Sequence, residues 1–195
     1  MARVRLLEDH EIEDKEILAT IQQLQELTGD TASMRVFAHR PDIMKSFMSF
    51  YLELQTQGLL SRKLVELTRL GIAQINQCSA CLSARYDDSI AEGLTEEMVD
   101  ALWDADGSDL FTEREQAAIA FGQKMARDHY SVTDDDFARL YRSFSEKEVV
   151  ELLLDIAMFI GIGRMFAVID AMNVVCSVPT ATQSRTPEPV GAPSG

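Results

Sequence analysis

The chain has 195 residues, the length of one domain, and it can bury a core without disulfide or metal crosslinks. It is 46% hydrophobic and 26% charged, as is ordinary for a globular protein, and its formal charge is −14. A surface this negative repels phosphate backbones and anionic lipids, so the composition argues against nucleic-acid and membrane partners.

The start of the chain lacks the apolar segment of a secretory signal peptide, since residues 1–10 read MARVRLLEDH. The most apolar stretch, residues 156–163, is too short to span a bilayer. Three cysteines without an export signal favour the cytoplasm. There a close cysteine pair is more often catalytic, redox-active or metal-binding than a structural crosslink.

In chain order, the pattern predicts a helix over residues 14–27 and a second that opens with Pro41 in its first turn. Ser61 precedes an apolar run over 64–75, which predicts a third helix. Asn76 and Gln77 supply a break, after which residues 79–90 are predicted as the next helix.

Helix start signals continue along the rest of the chain. Gly93 ends one helix and Thr95 caps the next, while capping boxes begin at Thr112, Thr133 and Ser145. Apolar residues recur at intervals of three and four in three groups: Ile43, Phe47, Phe50, Leu54; Ala117, Ile119, Phe121, Met125; and Val149, Leu152, Leu153, Ile156. We therefore expect an all-α fold of about eight helices with essentially no sheet.

The domain organisation follows from the prolines. Four of the five fall within residues 179–195, among Ser, Thr, Ala and Gly, so residues 178–195 are predicted to be a disordered tail. Residues 1–177 are predicted to form one helical domain with its core at about residues 42–127.

Cys78 and Cys81 form a Cys-x-x-Cys motif, a short pattern that is weak alone. Zinc would need two further ligands, and neither the distant Cys176 nor the three histidines provide suitable spacing. A thioredoxin-type site would need a preceding strand, whereas a helix is predicted here. A dithiol at a helix junction remains, where the positive end of the helix dipole favours thiolate.

Two charged residues near the motif have alternative interpretations. Arg85 shares a helical face with Cys81 and could lower the pKa of its thiol, or it could form a surface pair with Asp87 or Asp88. Glu66 lies on an apolar helix, where it is either a buried carboxylate or part of a salt bridge with Arg62 or Arg69.

Residues 62–81, RKLVELTRLGIAQINQCSAC, resemble the core of the carboxymuconolactone decarboxylase-like family, and within it the alkylhydroperoxidase D type. The glutamate twelve residues before the Cys-x-x-Cys pair is the most specific element. The resemblance covers about residues 3–175 and includes the segments at 38–41, 93–97, 111–115, 148–152 and 163–164.

The resemblance implies an all-α homo-oligomer, a trimer or hexamer, with no cofactor and with its thiol site near subunit contacts. It implies that Cys81 attacks a hydroperoxide, that Cys78 resolves the sulfenic acid as a disulfide, and that Glu66 belongs to a proton relay. An external dithiol or thioredoxin-like reductant would then restore the thiols.

One departure from the family pattern concerns the relay histidine four residues after the second cysteine, a position that Arg85 occupies. Arginine can stabilise a thiolate but cannot shuttle protons near neutral pH. The departure predicts a reactive dithiol with slow peroxidase turnover. The decarboxylase branch works without a dithiol, so the cysteine pair argues against that activity.

Three functions remain open at this point. The first is a thiol-dependent antioxidant enzyme that reduces hydroperoxides through Cys81 and Cys78. The second is a disulfide oxidoreductase or redox sensor with weak peroxidase activity. The third is a non-enzymatic oligomer with inert cysteines that binds a small apolar ligand.

Overall fold

A computed structural model of the chain describes residues 2–28 and 31–169, and within these ranges it contains helices and no strand. The ten α-helices are α1 (Lys15–Thr28), α2 (Ala32–Phe37), α3 (Pro41–Gln57), α4 (Arg62–Asn76), α5 (Ser79–Ser83), α6 (Asp87–Ala91), α7 (Glu96–Ala101), α8 (Glu113–Arg127), α9 (Asp134–Leu140) and α10 (Glu146–Ile169). Three 3₁₀-helices span Asp9–Glu11, Leu102–Gly107 and His129–Ser131. The predicted all-α class is confirmed.

Most of the predicted helix starts are confirmed because the expected side chains cap them. Pro41 occupies the first turn of α3, and the Ser61 hydroxyl accepts a hydrogen bond from the Leu64 amide at the start of α4. The boxes at Thr112 and Thr133 both form. Ser145 and Glu148 bond reciprocally at the start of α10.

Helix α4 is the centre of the fold. It packs against α8 and α10, and ten of its fifteen residues are buried. Gly122 lets α8 approach closely, since a Cβ there would lie 2.9 Å from Thr68 Cγ2. Because its middle is held on several sides, α4 is a rigid support for the groups that it carries.

The predicted helix over 79–90 is wrong in extent, because α5 and α6 are separated at residues 84–86. A continuing helix would use the carbonyls of Cys81, Leu82 and Ala84 as acceptors for amides four residues later. Arginine side chains take these carbonyls instead: Arg69 bonds Cys81 and Ala84, and Arg85 bonds Leu82 and Ala84.

The apolar stripe of α3 does not lie in the core as its spacing suggests. Ile43 is 56% exposed and Phe50 42%, while Met44 is the residue of this helix that is buried. Spacing identified the helix correctly but could not say whether the stripe faces this chain's own core.

Helix α10 corrects the prediction that its apolar stretch is too short to span a bilayer. It runs for 24 residues with a mean hydropathy of 2.1 over its most apolar window, so by length and composition alone it could cross a membrane. Core helices can be equally long and apolar, and Val149, Leu152 and Ile156 of α10 lie in the core beside α4. The predicted tail over 178–195 and Cys176 lie outside the described residues.

Candidate functional site

The candidate site forms where α4 ends and α5 begins. Gln77 takes a left-handed conformation with φ of 53°. Its amide donates to the Gln74 carbonyl at 3.2 Å, and the Cys78 amide donates to the Ala73 carbonyl at 3.1 Å. These two bonds form a Schellman motif, which ends α4 and turns the chain so that Cys78 begins the next helix.

The two cysteines are joined as a disulfide, with their Cα atoms 5.2 Å apart. The Cys78 carbonyl accepts the first hydrogen bond of α5 from the Leu82 amide, at 2.9 Å. The Cys81 amide donates to Cys78 Sγ at 3.2 Å. An amide directed at this sulfur favours the thiolate of Cys78 once the disulfide is reduced.

Glu66 is both buried and salt-bridged, so the two interpretations of it are compatible. Its side chain is 1% exposed, and its two carboxylate oxygens accept from Arg69 Nε at 2.7 Å and from an Arg69 terminal nitrogen at 2.6 Å. Arg62 is not its partner, because Arg62 Nε donates to Asp88 at 2.8 Å. Among the described residues, neither cysteine sulfur is hydrogen bonded to Glu66.

Arg69 connects the buried glutamate to the dithiol helix. Its guanidinium donates to the carbonyls of Cys81 at 2.7 Å and Ala84 at 3.1 Å, and lies 5.4 Å from the Tyr86 ring centroid. Burial lowers the pKa of Arg69, but its hydrogen bonds and charge pairing with Glu66 outweigh this and hold the pKa above its ordinary value. Arg69 therefore stays a cation inside the protein.

Arg85 is turned toward the end of α5 and not toward Asp87 or Asp88. It forms a two-point ion pair with Glu96, at 2.8 and 2.9 Å, and donates to the carbonyls of Leu82 and Ala84. This pairing lowers the pKa of Glu96. The proposed effect of Arg85 on the Cys81 thiol stays a prediction.

Tyr51 and Tyr86 complete the polar surroundings of Arg69. Burial, followed by the charge and hydrogen bonding of the nearby Tyr86 phenol, raises the pKa of Tyr51 well above its ordinary value. This pair was not predicted from the sequence, where Arg69 was identified only as a partner for Glu66. Tyr51 is on α3 and Tyr86 follows α5, so no short spacing could reveal that they meet at Arg69.

Asp155 is another buried acid, and unlike Glu66 it was not predicted from the sequence. It lies on α10, is 2% exposed, and its Oδ1 atom has no hydrogen-bond partner among the described residues. Burial, with the nearby Glu151 charge, raises the pKa of Asp155 to about 7, while Arg62 opposes the shift. Its position in the sequence could have indicated this burial, because an aspartate lies there within the apolar group at residues 149–156.

Residues 41–124, which include α3, α4 and the cysteine pair, match the family model described as the carboxymuconolactone decarboxylase family. Among curated proteins, none matches this sequence.

Several solved structures share the fold. A protein of unknown function from Agrobacterium tumefaciens, assigned to AhpD-type antioxidant defence, is 24% identical, with a TM-score of 0.59 over 69% of this chain and 92% of its own. A peroxidase-related protein with an alkylhydroperoxidase AhpD core, from Ralstonia eutropha JMP134, is 22% identical; its TM-score is 0.69 over 87% of this chain and 90% of its own. A variant of the debrominase Bmp8 in complex with 2,3,4-tribromopyrrole is 17% identical, with a TM-score of 0.70 over 88% and 94%.

Proposed function

Because residues 41–124 match the model of the carboxymuconolactone decarboxylase family, we propose that this chain is a cytoplasmic thiol-dependent enzyme that reduces hydroperoxides through Cys78 and Cys81. The observation that carries the proposal is the cysteine pair itself. The sulfurs are at bonding distance at the start of a short helix, and the amide of one cysteine is directed at the sulfur of the other.

The proposed cycle assigns a different step to each cysteine. The Cys81 thiolate attacks the terminal oxygen of the hydroperoxide, the O–O bond breaks, and Cys81 becomes a sulfenic acid while an alkoxide leaves and takes up a proton. The Cys78 thiolate, favoured by the Cys81 amide, attacks the sulfenic sulfur and forms the disulfide, and the hydroxide that leaves takes up a proton from solvent to give water. An external dithiol then reduces the disulfide and is itself oxidised.

The proton for the alkoxide is the weak point of this cycle. Arg69 and Arg85 are permanent cations that cannot donate a proton near neutral pH, and both oxygens of Glu66 already accept from Arg69. We therefore assign this proton to water, which gives slower turnover than a positioned acid would. The contacts of Glu66 thus support the expectation of a reactive dithiol with slow peroxidase turnover.

Stoichiometric oxidation tests the proposal. Reduced protein mixed with cumene hydroperoxide should lose two thiols, and lipoic acid in its dithiol form should restore them. The Cys81→Ser variant should lose this reaction, whereas Cys176→Ser, the matched control, should keep it. Two thiols that persist in excess hydroperoxide, or equal rates in Cys81→Ser and wild type, would rule the activity out.

A disulfide oxidoreductase is the second candidate, and the same lack of a positioned acid favours it. Thiol–disulfide exchange needs a thiolate and an accessible sulfur, but no acid for an alkoxide. Insulin reduction separates the two functions. Faster turnover with insulin disulfides than with cumene hydroperoxide would favour exchange as the main activity.

We also propose that the chain forms a homo-oligomer, a trimer or hexamer. Two helices present apolar side chains to solvent: Ile43 and Phe50 on α3, and Val150, Leu154 and Val168 on α10. An exposed apolar face of this kind is typical of a subunit contact.

Light scattering after size exclusion should give a trimeric or hexameric mass for the wild type. Leu154→Lys should reduce that mass, because a charge would be buried in the contact. Tyr130→Lys is the matched control, since Tyr130 is 88% exposed and belongs to the 3₁₀-helix His129–Ser131 and not to α3 or α10. A monomeric wild type would contradict this proposal.

A further inference from the structure

We propose that Arg69 is a positioning residue whose hydrogen bonds to the end of α5 stabilise the Cys78–Cys81 disulfide. This inference rests on the proposed dithiol cycle and adds to it a residue that determines how easily the disulfide is reduced. Arg69 need not touch the substrate for this role, because it acts on the backbone that carries the sulfurs.

The anchor of Arg69 is rigid. Arg69 projects from the middle of α4, and the nearby residues Leu67 and Leu70 of this helix are fully buried. Glu66 holds the guanidinium at two points, through bonds of 2.6 and 2.7 Å. A planar guanidinium bound by two parallel hydrogen bonds has little freedom to rotate.

The other side of the guanidinium binds the dithiol helix. It donates to the Cys81 carbonyl, twelve residues along the chain, and to the Ala84 carbonyl, fifteen residues along. Helix α5 has five residues, too few for a helix to persist on its own. Its shape therefore depends on contacts such as these, which satisfy carbonyls at its C-terminal end.

Arg85 bonds the same end of α5 but from a weaker anchor. Its partner Glu96 has a side chain that is 73% exposed, whereas the side chain of Glu66 is 1% exposed. Exposed ion pairs contribute little because water screens them. Of the two arginines, Arg69 is thus the one that ties the end of α5 firmly to the core, while Leu82 of α5 packs against the core cluster that includes Leu67 and Leu70.

The expected effect on the disulfide has a definite direction. Holding α5 in place keeps the two sulfurs near each other after reduction, which raises their effective concentration and favours closure of the disulfide. Glu66 neutralises the charge of Arg69, so the guanidinium contributes less through attraction to a thiolate than through position. Loss of Arg69 should make the disulfide easier to reduce.

The experiment measures the equilibrium between dithiol and disulfide forms in glutathione buffers. The test variant combines Glu66→Leu with Arg69→Met, which removes the contacts to α5 without leaving a buried charge. We expect its equilibrium constant for disulfide formation to fall about tenfold, which is a rise of about 30 mV in reduction potential. Arg69→Lys, which keeps the charge but cannot make all four hydrogen bonds, should fall between this variant and the wild type.

The matched control is Arg62→Met, which also replaces an arginine of α4 by methionine. It removes an ion pair with Asp88 and leaves the contacts of Arg69 with α5 in place. Its equilibrium constant should equal that of the wild type. The pH dependence of the rate of iodoacetamide alkylation gives a second readout. We expect this pH dependence to differ from that of the wild type in the double variant and to match it in Arg62→Met.

Unchanged equilibrium constants in both Arg69 variants, or a disulfide that becomes harder to reduce, would overturn the role of Arg69. Arg69→Lys keeps the pairing with Glu66, so it decides the question if the double variant does not fold. A failure of the proposed function looks different. In that case the wild-type dithiol equilibrates with glutathione, yet hydroperoxide does not oxidise it.

Discussion

Replacing Glu66 by leucine should destabilise the protein by about 3–5 kcal/mol, although leucine is the better residue for an apolar helix. The substitution leaves the Arg69 cation buried without its carboxylate. The carbonyls of Cys81 and Ala84 remain as acceptors, but they carry no charge to balance it. Urea unfolding at pH 7 and fixed protein concentration measures the loss.

The double variant with Glu66→Leu and Arg69→Met is the control for this prediction. It removes both charges and replaces them with apolar side chains, an exchange that is often neutral or stabilising in other buried ion pairs. We therefore expect it to recover most of the stability lost in the single variant. If the single variant unfolds at the wild-type urea concentration, the pair does not hold α4 and α5 in the way the geometry indicates.

Asp155 should make the protein less stable as the pH rises. In the unfolded chain the carboxyl titrates near 3.8, and in the folded protein at about 7. Well below pH 3.8 both states are protonated and the group has no effect, whereas above pH 7 folding must keep a charge buried. The penalty grows across this window to on the order of 4 kcal/mol.

The Asp155→Asn variant tests this by removing the charge while keeping the shape. Its stability relative to the wild type, measured by urea unfolding from pH 4.5 to pH 8, should rise with pH by roughly 1.4 kcal/mol per pH unit at most and should level off above about pH 7. Asp135→Asn, an exposed site on α9, is the matched control and should give no such trend. Parallel stability curves for Asp155→Asn and the wild type would contradict this prediction, since Arg62 would then be offsetting both the burial and the Glu151 charge.

The sequence predicted the helices well where the signal is local. Caps such as Ser61 and Thr112 act on amides within three residues, so their spacing alone identifies the helix starts. The split between α5 and α6 could not be predicted in this way. It depends on Arg69, which reaches carbonyls twelve and fifteen residues away only after the chain has turned at Gln77.

The site was predicted in part for the same reason. The Cys-x-x-Cys motif and the upstream glutamate are spacings along the chain. The cysteines lie at the predicted helix junction, whereas Glu66 lies within α4 and is linked to α5 through Arg69. The spacing also predicted that Arg85 shares a helical face with Cys81. The direction of the Arg85 side chain, however, is determined by its ion pair with Glu96, which is on the later helix α7. The buried acid at Asp155 shows the same limit, because its burial depends on how α10 packs against α4.

Trapping of the sulfenic acid identifies the cysteine that attacks the hydroperoxide. Reduced Cys78→Ser protein, in a Cys176→Ser background, is treated with cumene hydroperoxide and dimedone and then mapped by peptide mass spectrometry. The account predicts a dimedone adduct on Cys81, because no resolving thiol remains, and no adduct on Cys78 in the reciprocal Cys81→Ser variant. An adduct on Cys78 in that variant, or no adduct in either, would contradict the assignment of Cys81 as the cysteine that attacks the hydroperoxide.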